Sequence, residues 1–242
     1  MPRRHPWLRR LTFAIGGLLA LLGAATVVER LGGSRLGGPV VAVVEVRGVI
    51  ASSDVVCDAL SDVRQDPHVV AVVLRVDSPG GGVAPSQEIF DEIRRVRDVK
   101  PIIASLGNVA ASGGYYIAAA TTRIVSDPGT LTGSIGVIME FRNLETLAQK
   151  IGIGETVVKS GPYKDIGNPV RPMTPAERTL LQGTVDDVYA QFVDAVSTGR
   201  GLAPERVRAI ADGRVLSGAQ ALQAGLVDEL GGLNAAIRVA WA

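Results

Sequence analysis

Pro101-Ile-Ile-Ala-Ser-Leu-Gly-Asn-Val-Ala-Ala-Ser-Gly-Gly-Tyr-Tyr-Ile-Ala-Ala-Ala120 opens as a short apolar run, passes through small residues and closes on a second apolar run. Residues 101–106 read as a strand and residues 116–120 as a helix. Between them Ser112 is flanked by residues too small to cover its hydroxyl. The glycines that follow let a backbone N–H approach a ligand with no Cβ in the way. A plain helix N-cap, for which serine is favoured, uses the same residues. The surrounding chain has to separate a nucleophile from a cap.

Upstream, residues 40–46 form a β-branched run of the kind buried on both faces of a sheet. Residues 53–65 follow as a helix, with Val55, Val56, Ala59, Leu60 and Val63 on one face. A second strand at 69–76 ends in Asp77-Ser-Pro-Gly-Gly-Gly82, a second helix spans 85–97, and a third strand, 102–106, leads to Ser112. Strand and helix in alternation predict an α/β fold with a parallel sheet and right-handed crossovers. Parallel strands present their carboxyl ends along one edge, where ligands bind. The glycines at 80, 81 and 82 and Ser112 both lie just past such ends, so they are expected to converge. Three glycines alone are most simply a turn; beside Ser112 their N–H groups are placed to meet a developing oxyanion. That favours the nucleophile.

Downstream, strands are expected at 123–125, 135–139 and 155–158, with a helix at 144–150 and a loop from Lys159 to Pro169. Thr174-Pro-Ala-Glu177 combines a capping box with proline at the first helical position. The helix it opens spaces Leu181, Val185, Val188, Phe192 and Val196 for packing and ends at Gly199 and Gly201. Shorter helices are expected at 204–211 and 217–224. No internal repeat is present.

The 242 residues are 47% hydrophobic with a net charge of +1, which favours a packed domain over disorder and gives no sign of nucleic-acid binding. Cys57 is the single cysteine, so no internal disulfide forms; it reads as a packing residue. Residues 1–10 carry Arg3, Arg4, Arg9 and Arg10 and no acid, and residues 11–28 are uncharged and almost wholly apolar. As a helix that run reaches about 27 Å, enough to span a membrane. The expectation is one transmembrane anchor with a cytoplasmic N-terminus, a linker at 29–39, and a domain at 40–242 on the far side. A cleaved signal peptide competes, but the apolar run is long for one and lacks a clean Ala-x-Ala site.

Ser112 needs a base that is unprotonated near neutral pH. The two histidines are His5, in the basic flank, and His68, at the sheet edge opposite the glycines, so a Ser-His-Asp triad is nearly excluded. A Ser-Lys pair is the alternative. Of the lysines, Lys100 faces the wrong edge and Lys150 ends an exposed helix. Lys159 and Lys164 flank Ser-Gly-Pro-Tyr past a strand's carboxyl end; Lys164, deeper in the loop, is preferred and Lys159 held in reserve. Against either stands the usual role of lysine as a solvated surface charge.

Five motifs occur in order: Asp77-Ser-Pro-Gly-Gly-Gly82, Ala111-Ser-Gly-Gly-Tyr-Tyr116, Thr132-Gly-Ser-Ile-Gly-Val137, Ser160-Gly-Pro-Tyr-Lys-Asp165 and Gly225-Leu-Val-Asp228. Together, over about residues 40 to 235, they resemble the signal peptide peptidase A (protease IV) family of membrane-anchored serine peptidases. The resemblance implies a Clp protease/crotonase-like spiral of ββα units and no cofactor. It implies Ser112 as nucleophile, Lys164 as general base, Ser134 as the group that orients the base, and the N–H groups of Gly81 and Gly113 as oxyanion donors. Many relatives carry asparagine where this chain has Asp77, a change expected to affect the turn more than the chemistry. It further implies a homo-oligomeric ring in which a neighbouring subunit supplies the lysine, and peptide substrates left in the membrane after signal-peptide removal. Two other readings keep the fold: a crotonase-like acyl-CoA enzyme, against which the anchor and the Ser112/Lys164 pair argue, and a non-catalytic membrane scaffold.

Overall fold

The computed structural model describes residues 38–242; the predicted basic flank, the anchor and most of the linker lie outside the described residues. In chain order the elements are β1 (Val40–Arg47), α1 (Asp54–Gln65), β2 (Val69–Ser78), α2 (Val83–Arg97), β3 (Ile102–Ala111), α3 (Gly113–Ala119), β4 (Arg123–Ser126), β5 (Leu131–Gly133), α4 (Glu145–Lys150), α5 (Pro175–Arg200), α6 (Pro204–Arg208), β6 (Val215–Ser217), α7 (Gly218–Ala224), β7 (Glu229–Leu230) and α8 (Leu233–Trp241). Strands β1, β2, β3, β4 and β7 lie side by side in that order, every pair parallel. This is the predicted α/β architecture. Among the described residues no helix is long and apolar enough to cross a membrane.

Successive side chains of β2 enter opposite layers. Val72, Leu74 and Val76 join the larger core, with Leu60 of α1, Ile89 and Ile93 of α2, Ile117 of α3 and Phe192 and Val196 of α5. Ala71 and Val73 join Ile103 and Val125 beneath Ala235, Ala236 and Ala240 of α8. Burial on both faces is why β2 reads as an unbroken apolar run rather than an alternating one.

β3 runs on to Ala111, past the predicted end at Leu106. Its first half pairs with β4 and its second half, Val109 to Ala111, pairs with β5, which also takes β6 antiparallel. The register with β2 shifts between Val76 and Ser78. At this shift the Asp77 carboxylate accepts the Val109 N–H at 3.1 Å, and the Thr130 hydroxyl donates to the Gly107 carbonyl at 2.7 Å. A side chain at Gly107 would put its Cβ 2.9 Å from Asp77, so the close approach requires glycine. Gly107 and Asn108 suggest a strand end by propensity; side-chain hydrogen bonds carry the strand through them to Ser112.

Four expectations fail. Residues 135–139 and 155–158 are not strands: no neighbouring strand pairs with them, and Ile138 and Val158 are 87% and 97% exposed. Helix α5 packs only over its C-terminal half, where Phe192, Val193, Ala195 and Val196 are buried, while Leu181 and Val185 stay partly exposed. The helix expected at 204–211 stops at Arg208.

Candidate active site

Ser112 occupies the one-residue turn between β3 and α3, with φ 52° and ψ −122°. For a residue with a Cβ this backbone costs about 1–3 kcal/mol, so the surroundings must impose it. They do so from both sides: the Ser112 N–H donates to the Gly133 carbonyl at 2.9 Å, and its carbonyl accepts the Tyr116 N–H at 2.8 Å. Its side chain makes no capping bond to α3, so the plain N-cap reading of Ser112 fails.

The glycine turn is laid directly on this corner. Gly80 has φ 99°, and a Cβ there would lie 2.6 Å from the Gly113 nitrogen and 2.9 Å from the Ser112 Cβ. The main chain of Ile50 holds the turn, donating to the Gly80 carbonyl at 2.9 Å and accepting the Gly82 N–H at 2.8 Å. Between those two bonds the Gly81 N–H has no acceptor among the described residues, and neither has the Gly113 N–H. The Gly81 nitrogen is 3.3 Å from where a Cβ on Gly113 would sit, so the two unpaired donors are neighbours beside Ser112. The Asp77 carboxylate is committed to the Val109 N–H, a role in the turn.

Ser134 shares the strained geometry, with φ 50°, and follows Gly133 at φ 74°. Its N–H donates to the Arg214 carbonyl at 2.8 Å, which ties the end of β5 to the β6 strand. Ser112 and Ser134 line one cleft of about 470 Å³, with Asp186, Tyr189 and Asp212 on its walls. Asp212 is held by the Arg214 guanidinium at 2.5 Å, which lowers its pKa to about 2. A second, mostly apolar cavity of about 130 Å³ also reaches Ser112, between Val83, Tyr116, Ile138, Val188 and Phe192. Burial raises the Tyr116 phenol above its ordinary pKa.

The predicted residues thus fall into two groups. Ser112, Ser134, Gly81 and Gly113 come together. Lys164 does not join them: it is exposed, its Nζ has no partner among the described residues, and it lines neither cavity. Lys159, the reserve, is ion-paired with Asp165 at 2.5 Å. His68 is exposed, and its main-chain N–H donates to the Asp66 carboxylate. Sequence reasoning missed Ile50, whose main chain shapes the glycine turn, because a backbone contact leaves no side-chain signal. It also missed Arg171, which bridges Asp165 and Glu177.

Residues 94–242 match peptidase family S49. The chain is 47% identical over 193 residues to a protease-named chain of Synechocystis sp., covering 79% of this chain and 69% of the relative. It is 36% identical over 216 residues to the chloroplastic serine protease SPPA of Arabidopsis thaliana, covering 88% of this chain and 31% of that one. With protease 4 of Salmonella typhi it shares 37% over 185 residues, 76% of this chain and 30% of the relative. It therefore spans about a third of the length of the last two. With the parallel α/β sheet and the serine corner in place, these matches establish that the chain belongs to peptidase family S49, the family of signal peptide peptidase A.

Proposed function

We propose that this chain is a membrane-anchored serine endopeptidase in which Ser112 is the nucleophile and Lys164 of a neighbouring subunit is the general base. The observation that carries the reading is the corner itself: a serine held in a left-handed turn, beside two backbone N–H groups that lack acceptors. In this mechanism the uncharged Lys164 amine removes the Ser112 proton as the hydroxyl oxygen attacks a peptide carbonyl. Gly81 and Gly113 N–H groups donate to the oxyanion, each contributing roughly 2.7–4 kcal/mol. The lysine then returns the proton to the leaving amine, and water hydrolyses the acyl-enzyme. Ser134, in the same cleft, is the hydroxyl that orients the amine. The apolar cavity beside Ser112 suits an apolar side chain of the substrate.

Two features support a base from a second subunit. The cleft beside Ser112 and Ser134 is lined by no lysine, and the segment that carries Lys164 exposes large apolar side chains, among them Phe141, Leu147, Ile151 and Val158. An amine serves as a base once it is stripped of water, and closure by a neighbour accomplishes that. We assign the fold to the Clp protease/crotonase-like spiral, the assembly to a homo-oligomeric ring, and the location to the outer face of the cell membrane. Cleaved signal peptides are the proposed substrates.

The test is a fluorophosphonate probe and a peptide substrate applied to the full-length protein. The parent should be labelled on Ser112 and turn over peptide, and Ser112→Ala should lose both while keeping its fold. Undiminished peptide hydrolysis by Ser112→Ala removes the nucleophile from the scheme. An unlabelled but folded parent favours the acyl-CoA or scaffold reading.

A further inference from the structure

Arg171 lies in the loop between the Lys164 turn and α5, and its whole guanidinium is engaged. Nε donates to Asp165 Oδ2 at 3.0 Å and Nη2 to the Asp165 carbonyl at 3.1 Å. On the other side Nη1 and Nη2 donate to the two Glu177 carboxylate oxygens at 2.9 and 2.5 Å. Glu177 is also the capping-box residue of α5, accepting the Thr174 N–H at 2.8 Å. The remaining Asp165 oxygen accepts Lys159 Nζ at 2.5 Å. Asp165 is the residue next to Lys164, and Arg171 grips both its carboxylate and its main chain.

Resting on the function proposed above, we propose that Arg171 is a positioning residue for Lys164: its fork fastens the amine-bearing loop to the first turn of α5. The geometry has a consequence for which side chain is free. Lys159 and Asp165 are used up in the ion cluster, whereas Lys164, set within successive turns from Gly161 to Asn168, is exposed and has no side-chain partner among the described residues. A planar, bidentate donor is needed because the two carboxylates must be joined at fixed angles; a lysine at 171 would supply one point charge and no fork. A displaced amine of even 1 Å is enough to cost about 10²-fold in rate.

Pairs of full-length variants, co-expressed with different affinity tags and purified as mixed assemblies, test this by complementation. Arg171→Gln alone should lower kcat by about 10²-fold. Ser112→Ala with Lys164→Ala should regain activity, because an intact serine meets an intact lysine across some interfaces. Ser112→Ala with Arg171→Gln should regain it too, since the first subunit brings an undamaged lysine loop. Lys164→Ala with Arg171→Gln should stay inactive, as both damage the same side of the interface. Asp165→Asn should behave as Arg171→Gln does. If Arg171→Gln is instead rescued by Lys164→Ala and not by Ser112→Ala, Arg171 serves its own subunit's serine and the proposal is overturned, with shared active sites still standing. Failure of Ser112→Ala with Lys164→Ala to complement overturns sharing itself. An undiminished kcat in Arg171→Gln alone overturns the clamp under either reading.

Discussion

Ser112 and Gly80 depend on each other's backbone. A serine at φ 52° is held there by its main-chain bonds to Gly133 and Tyr116, and the glycine turn packs against it so closely that no room is left for a Cβ at Gly80. Gly80→Ala therefore combines a disfavoured φ of 99° with an overlap against the Gly113 nitrogen. The expected destabilisation is about 1–3 kcal/mol from the backbone alone, and kcat should fall by about 10²-fold as the turn is pushed off Ser112. Gly129→Ala is the control: a Cβ there meets nothing within 4 Å, and its φ is not positive. It should stay within about 0.5 kcal/mol of the parent and keep full activity. Thermal melts and peptide turnover on the three chains decide it; a fully active Gly80→Ala would mean that the turn does not shape the site.

Among the elements, α5 joins two kinds of environment, and its first turn is an acid-sensitive joint. Arg171 holds the Asp165 and Glu177 carboxyls at about 2, below their ordinary 3.8 and 4.5, with Lys159 adding to the effect on Asp165 and Thr174 to that on Glu177. Folded-state values below the unfolded ones mean that these groups stabilise fully above about pH 4.5, and that this contribution is lost as pH falls toward 2. Melting temperature should therefore drop from pH 5 to pH 2.5 more steeply in the parent than in Glu177→Gln, which has one such carboxyl fewer. Equal slopes would remove Glu177 from the acid response. The same helix marks the limit of what was legible in the sequence. Its capping box was readable from four residues because a cap is local, whereas the burial of Leu181 and Val185 depends on what lies opposite, and among the described residues little does. The β-α-β order and the convergence of Ser112 with the glycine turn followed from period and topology. Short β5, β6 and β7, the extension of β3 and the Arg171 clamp did not, because each is held by a partner distant in sequence or by a single side chain at a bulge.

At the scale of the molecule, the chain is finished on one side and open on another. The sheet core is closed, with Val72, Leu74, Ile103 and Val125 out of solvent, while the stretch between β5 and α5 exposes Ile138, Leu147, Ile151, Ile153 and Val158. Among the described residues no amine lines the cleft at Ser112 and no hydroxyl partners Lys164, so the exposed apolar stretch and the proposed dyad have one common solution in the proposed ring. This predicts that Ile151→Asp and Val158→Asp leave the single domain folded, since neither side chain enters its core, yet dissociate the assembly. Activity should fall with it, and dilution of the parent below its association range should lower specific activity in the same way. Sedimentation of the full-length protein in detergent, read beside fluorophosphonate labelling of Ser112, separates the possibilities. A dissociated but fully labelled and active Val158→Asp would place the base within the same chain, and would force the loop around Lys164 to fold back onto its own serine.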